Sequence, residues 1–302
     1  MPDCGELFRE YYRAMDIERL PGITAELGEG PLWDVARQCL WFVDIMRGQV
    51  HRFDPAAGTD RVYEIGQPVS ALACTECGDL VCAVRDGFTR LDPDTGAVTV
   101  VARVEAENPR NRMNDGYVDA RGRFWAGTMS MQHEREAGAL YRLDPDGTVT
   151  RHLSGVTTSN GLDWSGDSRL MYYIDTGLPR IDVFDFDLER GELANRRTFV
   201  TIDPADGKPD GMIVDAEDHV WVALWNGGCV RRYAPDGTRV LTMTLPTPLT
   251  TKPAFGGPDL MDLYVTSAFI ALSADARAAS PAAGALFHVR PGVRGRAPRL
   301  AK

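Results

Sequence analysis

A short unit recurs six times along this 302-residue chain. Each copy joins two apolar runs through a polar turn. The second runs are Leu40-Trp41-Phe42-Val43, Leu80-Val81-Cys82-Ala83-Val84, Phe124-Trp125-Ala126, Met171-Tyr172-Tyr173-Ile174, Val220-Trp221-Val222-Ala223 and Leu263-Tyr264-Val265-Thr266. Their second residues, Trp41, Val81, Trp125, Tyr172, Trp221 and Tyr264, return every 40 to 49 residues. Runs rich in β-branched and aromatic residues around a polar turn are hairpins. A hairpin repeated at this spacing, without convincing helices, is the mark of a four-stranded propeller blade. The expected fold is all-β: a six-bladed β-propeller of four-stranded antiparallel blades around a central channel. One blade cannot bury both faces of its sheet alone. Residues 1–302 are therefore expected to fold as one propeller domain, with about 1–20 as an N-terminal lead-in.

Tight turns support the count. Phe53-Asp54-Pro55 with Gly58, Leu91-Asp92-Pro93-Asp94-Thr95-Gly96, Leu143-Asp144-Pro145-Asp146-Gly147, Phe186-Asp187-Leu188-Glu189-Arg190-Gly191 and Tyr233-Ala234-Pro235-Asp236-Gly237 fall once in each of the first five units. Proline presets φ and glycine accepts a positive φ, so these are the expected outer turns. The sixth unit carries instead an Ala- and Ser-rich stretch from Ala271 to Gly284, read as a surface connection, with a lid as the alternative. The Trp33-Asp34 dipeptide is not repeated, which excludes a WD40 array.

A formal net charge of −10 disfavours nucleic acid and anionic membrane as partners, since both demand a basic surface. It suits a cation or a neutral metabolite. There is no apolar run long enough for a membrane span, and charges interrupt the first twenty residues, so a cytoplasmic location is expected. The six cysteines do not read as a disulfide framework. Cys74 and Cys77 have CxxC spacing, but no second pair answers them, and the following Gly78-Asp79 reads as a turn. Cys39, Cys82 and Cys229 lie in or beside strand patterns and are expected to be core thiols.

In a propeller the innermost strand of each blade runs along the channel, so residues at its mouth converge. About a dozen residues before the aligned aromatics stand Glu29-Gly30, Asn114-Asp115, Asn160-Gly161 and Asp210-Gly211; the second unit offers Ser70 and the sixth Lys252. Each pair also has a plain reading as a turn dipeptide. A turn, however, does not require that they share one end of one channel. Carboxylates and amide oxygens converging there suit a hard divalent cation, and an open position on it is what metal-assisted hydrolysis needs. The five histidines show no HxxxH spacing, and there is no G-x-S-x-G elbow and no P-loop pattern.

The same residues resemble the senescence marker protein, regucalcin and gluconolactonase family of six-bladed propellers. The matching motifs are Leu27-Gly-Glu-Gly-Pro-Leu-Trp33, Arg112-Met-Asn-Asp-Gly116, Arg123-Phe-Trp-Ala-Gly-Thr-Met129, Ser159-Asn-Gly-Leu-Asp-Trp164, Tyr173-Ile-Asp175, Pro209-Asp-Gly-Met212 and Asn226-Gly-Gly228. The resemblance implies that Glu29, Asn160 and Asp210 bind one divalent cation, and that Arg112 and Asn114 contact a sugar lactone. Some members place an acidic residue in the loop after Gly-Thr-Met. Here Gln132 takes that position, with Glu134 nearby, and Gln132 is expected among the substrate contacts.

The function so implied is metal-dependent opening of an aldonolactone to its aldonic acid; as a metal ligand close to the attacking water, Asp210 is the expected general base. The cation is calcium, zinc, manganese, magnesium or iron(II), since oxygen ligands and water accommodate all of them. Two other readings share the site: a calcium-binding regulatory protein without turnover, and a hydrolase of phosphoesters or other esters.

Overall fold

The computed structural model describes residues 15–302. They form six four-stranded antiparallel sheets, the six-bladed propeller expected from the repeat. Five sheets are built from consecutive segments of chain. The sixth joins Thr250–Gly256, Asp262–Ser267 and Phe287–Val289 to an outer strand from the other end of the chain, Glu18–Arg19. Glu18 pairs with His288 and Arg19 with Phe287, so the two ends of the chain meet in one sheet. Part of the stretch expected as a lead-in is thus the clasp of the ring; its first fourteen residues lie outside the described ones.

The five predicted outer turns hold. Gly58, Gly96, Gly147, Gly191 and Gly237 all have φ between 65° and 85°, the left-handed region where glycine has no Cβ to clash. In the sixth blade the connection contains a helical turn and a half, Ala274–Ala279, capped by the Ser273 side chain on the Ala276 N–H. No described helix is long and apolar enough to cross a membrane.

The aligned aromatics are buried for a specific reason. The indoles of Trp41, Trp125 and Trp221 donate to Asp34, Asp119 and Asp215 at 3.2, 2.9 and 2.8 Å. Each carboxylate sits where the inner strand turns into the next, so the bond ties the hairpin to its own core. Packing between blades repeats as well. Trp125 meets Trp164 of the following blade at 6.1 Å, Trp221 meets Phe255 at 5.6 Å, and Tyr264 stacks on Trp33 at 5.9 Å. Such pairs add about 0.5–1.5 kcal/mol beyond the area they bury.

One irregularity positions the site. In every blade the pairing of the inner strand with its neighbour slips near the strand's start: Glu29 to Leu32, Val69 to Ala71, Met113 to Gly116, Ser159 to Leu162, Pro209 to Met212 and Thr250 to Pro253. A bulge bends a strand and re-aims the side chain within it. Glu29, Ser70, Asn114, Asn160, Asp210 and Lys252 all lie at these slips. Asp210 lies inside the strand Lys208–Val214.

The glycines that follow serve close approach rather than turning. A Cβ on Gly161 would lie 2.7 Å from the Asp210 carbonyl, and one on Gly211 would lie 2.4 Å from the Cβ of Lys252. Neighbouring inner strands approach each other only because these positions are bare.

The opposite end of the channel is closed by the chain's last residues. The Arg294 carbonyl accepts from the Ala216 N–H, and the N–H groups of Ala301 and Lys302 donate to the carbonyls of Cys74 and Gly122. The guanidinium of Arg296 donates to the carbonyls of Asp215 and Trp164 at 2.9 and 3.0 Å. These partners lie at the far ends of inner strands from four blades.

Candidate metal and substrate site

Glu29, Asn160 and Asp210 come from blades 1, 4 and 5 and line one cavity of about 640 Å³ at the bulged end of the channel. All three are buried. The Asn160 amide nitrogen donates to Asp210 Oδ1, and at 2.9 Å to the Thr176 hydroxyl. Thr176 in turn donates to the Pro209 carbonyl at 2.8 Å. With both amide hydrogens engaged, the amide plane is fixed and its oxygen faces away from them.

Both carboxyls of the site are raised. Burial, and then the charge of Asp115, push the Glu29 carboxyl up to about 8, against the pull of Lys252, the Gly30 N–H and Arg112. Burial, and then Glu29, hold Asp210 well above the carboxylate range, although Asn160 donates to it. Two carboxyls in one buried site each disfavour ionisation of the other.

Among the described residues the buried Asn160 Oδ1 has no partner, and an orphaned acceptor costs about 1–3 kcal/mol. A divalent cation among these oxygens would satisfy the orphan and balance both carboxylates, so the donor set fits an oxygen-ligated ion. Among the described residues, no group of three or more His, Cys, Asp or Glu side chains is placed to hold a metal. The third donor in this set is an amide.

Arg112 and Asn114 line the same cavity. Arg112 Nη1 donates to Asn114 Oδ1 at 2.7 Å and to the Met113 carbonyl at 2.9 Å; Asn114 Nδ2 donates to the Ser159 carbonyl at 2.8 Å. Among the described residues these are the only hydrogen bonds of the guanidinium, so Nε and Nη2 remain to donate. Burial lowers the Arg112 pKa to about 10, with Glu29 and Asp210 opposing; the group stays charged at neutral pH.

The other two bulge positions do not reach the cavity. Ser70 donates to the Ala83 carbonyl at 3.2 Å. Lys252 forms a buried ion pair with Asp115, 5.7 Å from the centre of the Tyr117 ring. That pair keeps the third carboxylate of the channel from adding its charge in full.

Gln132 is not among the cavity's lining residues. It is exposed, and its backbone N–H donates to the Ser130 hydroxyl at 3.1 Å. Met131 and His133 on either side line the mouth instead. His133 has a φ of 57°, so the loop turns beside Gln132. Glu134 is also directed elsewhere, accepting from Arg110 Nη1 at 3.0 Å.

Sequence reasoning missed Thr157, Thr158, Thr176, Lys208 and the apolar rim. A signal for the threonines exists in Asp175, which accepts from the N–H groups of Thr157, Thr158 and Gly177 at 3.0, 2.9 and 3.0 Å. Asp44 holds Glu26 and Leu27 in the same way in blade 1. These carboxylates fix the loops that enter the inner strands.

The described cysteines are free. Cys39, Cys74, Cys82 and Cys229 are buried and Cys77 is exposed. Burial pushes the Cys82 thiol up to about 12 and Cys74 higher still, which makes them core groups rather than nucleophiles.

Residues 27–269 match the family described as the SMP-30/Gluconolactonase/LRE-like region. The chain is similar to regucalcin of Xenopus laevis, with 39% identity over 94% of this chain and 98% of that one. Regucalcin of Danio rerio is 42% identical over 89% and 92%. Among solved structures, a calcium-binding protein, regucalcin, from Agrobacterium tumefaciens superposes with a TM-score of 0.91 at 33% identity, covering 95% of this chain and 98% of its own. A gluconolactonase from Xanthomonas campestris, 24% identical, shares the fold with a TM-score of 0.75 over 91% and 89%. With its motifs, its six blades and these relatives in agreement, the chain belongs to the SMP-30/gluconolactonase/LRE-like family.

Proposed function

We propose that this protein is a metal-dependent lactonase that opens an aldonolactone to the aldonic acid, with Glu29, Asn160 and Asp210 holding one divalent cation. The observation that carries the reading is the buried Asn160 Oδ1, which has no hydrogen-bond partner among the described residues and shares one cavity with two carboxyls held above their ordinary range and an arginine with free donors. When bound, the cation supplies Lewis-acid polarisation of the lactone carbonyl and neutralises charge that develops on oxygen.

The chain's own residues do the rest. Arg112, through Nε and Nη2, donates to the lactone carbonyl or a neighbouring hydroxyl, where negative charge grows as water adds. Removing one such donor costs about 10²–10³ in rate in other oxyanion sites. Asn114 is held rigid by Arg112 and Ser159 and fixes the orientation of the guanidinium. Asp210, ionised beside the cation, takes the proton from the attacking water. The ring C–O bond then breaks, and Asp210 returns the proton to the departing ring oxygen. No further acid is needed, since the same proton closes the cycle. The tail across the far end of the channel confines entry to the bulged end.

A calcium-binding role without turnover rests on the same three oxygens, and the description of the Agrobacterium tumefaciens neighbour as calcium-binding favours it as the second reading. The free donors of Arg112 separate the two, because a cation site has no use for a buried guanidinium. Acid release from a panel of aldonolactones, alongside aryl esters and phosphoesters, tests the proposal with the metal removed and restored. Metal-dependent release from an aldonolactone supports it. Tight metal binding with no release from any lactone overturns it in favour of the second reading.

A further inference from the structure

The cavity has two tiers of different chemistry. Its floor is the polar set already described. Its mouth is lopsided. Blades 6 and 1 contribute Leu27, Ile45, Met46, Ile270 and Ala271, and apart from Glu29 on the floor no polar side chain of these two blades lines it. Across the opening, blade 3 contributes Met129 and Met131, and blade 3 stands opposite blade 6 in a six-membered ring.

Nine large apolar side chains are exposed among the described residues: Val35, Met46, Val62, Val98, Val100, Met131, Val240, Ile270 and Leu300. Three of them, Met46, Met131 and Ile270, lie at this one mouth, at 41%, 37% and 39% exposure. The other six do not line it. Scattered apolar residues need no explanation, but a cluster at the entrance to a polar site marks something it receives. Methionine adapts to ligands of varied shape. The polar groups of the mouth lie on the other side and are partly spent: Thr157 accepts from the Glu136 N–H at 3.2 Å, and Thr176 is engaged by Asn160 and Pro209. A hydroxylated arm laid on the wall of blades 6 and 1 would lose water there and gain no partner.

We propose that the lactone taken by this site carries an apolar arm, an alkyl chain or an aryl ring, which lies against Leu27, Met46 and Ile270 while Met131 faces it from across the mouth. This rests on the lactonase reading and departs from it on one point, the arm, which is apolar here where an aldonolactone's is hydroxylated: the reacting ring sits on the floor, and the arm fills the rim.

The test compares kcat/KM, with the divalent cation present, for γ-valerolactone, γ-nonalactone and glucono-1,5-lactone. The nonalactone chain is longer by four methylenes. An arm buried on one face gains about twofold per methylene, half the effect of full transfer, so γ-nonalactone should exceed γ-valerolactone by about fifteenfold. Met46→Gln with Ile270→Asn should reduce that ratio below about threefold. The wild-type ratio alone decides the point if the double variant folds poorly. Equal kcat/KM for the two γ-lactones, or a clear preference for glucono-1,5-lactone over both, overturns the apolar arm and leaves the lactonase reading standing. No hydrolysis of any of the three overturns both.

Discussion

In metal-free protein, raising the pH from 6.5 to 8 should lower the melting temperature. Glu29 is pushed up to about 8 and Asp210 is raised beside it. Both carboxyls titrate near their ordinary values once unfolded. A carboxyl raised on folding favours the native state while both states hold the proton, and that advantage fades as the pH rises from the unfolded value through about 8. The two groups are close enough to titrate as a pair, so we count one shared proton. At ~1.4 kcal/mol for each pH unit, the interval from 6.5 to 8 removes about 2 kcal/mol. For a chain of this size that is a fall of about 4 °C.

His152 has the opposite sign. Burial holds it down to about 4, so its contribution is lost as the pH falls below 6.5 and is complete above it. Asp163, raised by burial, acts in the same direction as Glu29, and Glu29→Gln isolates the site: its slope should be clearly shallower. A bound divalent cation holds the carboxylates ionised and should flatten the curve. Differential scanning fluorimetry with and without chelator reads all of this. A metal-free melting temperature that is flat or rises over that interval, or an unchanged slope in Glu29→Gln, refutes the shared proton.

Three further outcomes follow from the geometry. Arg112→Met should cost about 10²–10³ in kcat on a hydrolysed lactone, while the metal Kd measured by calorimetry stays the same or tightens, because a repelling cation has gone. Asp215→Ala should cost about 3 kcal/mol in urea unfolding, since Asp215 accepts from Trp221, Arg232 and the N–H groups of Glu217 and His219; a loss under 1 kcal/mol would contradict that role. Deleting residues 1–20 removes the Glu18–Arg19 clasp and its contact with His288, and should lower the melting temperature by several degrees; an unchanged melting temperature would contradict the clasp.

The blade count was legible because the second strand of five blades carries a large buried aromatic residue, with Val81 in its place in the other, that must sit at one depth in its sheet. The convergence of the candidate site was legible for a related reason: the bulges fall at one point in every inner strand, so alignment brought Glu29, Asn114, Asn160 and Asp210 to one end, and the resemblance singled out three of them as candidate ligands. The clasp was not legible, because two residues of strand have no periodicity. The Ala274–Ala279 helix buries no residue and so has no apolar face to read, although Ser273 before an alanine-rich run is a cap signal. The place of Gln132, outside the cavity lining, was hidden on a finer scale. A loop position fixed by counting from a motif assumes the family's backbone, and the left-handed His133 turns this loop so that its neighbours line the mouth instead. The Ala271 to Gly284 stretch meets the site only through its first residue and Ile270 before it.

The central claim is that Asp210 both holds the cation and moves the proton. It is tested most directly by acid release from an aldonolactone or alkyl γ-lactone that the wild type hydrolyses, measured for Asp210→Asn at saturating metal. The amide keeps the size and an oxygen donor but cannot take a proton from water. The account predicts a folded protein with weakened metal binding whose kcat, at full metal occupancy, falls by at least about a hundredfold. Turnover within a few-fold of wild type at full occupancy would contradict it.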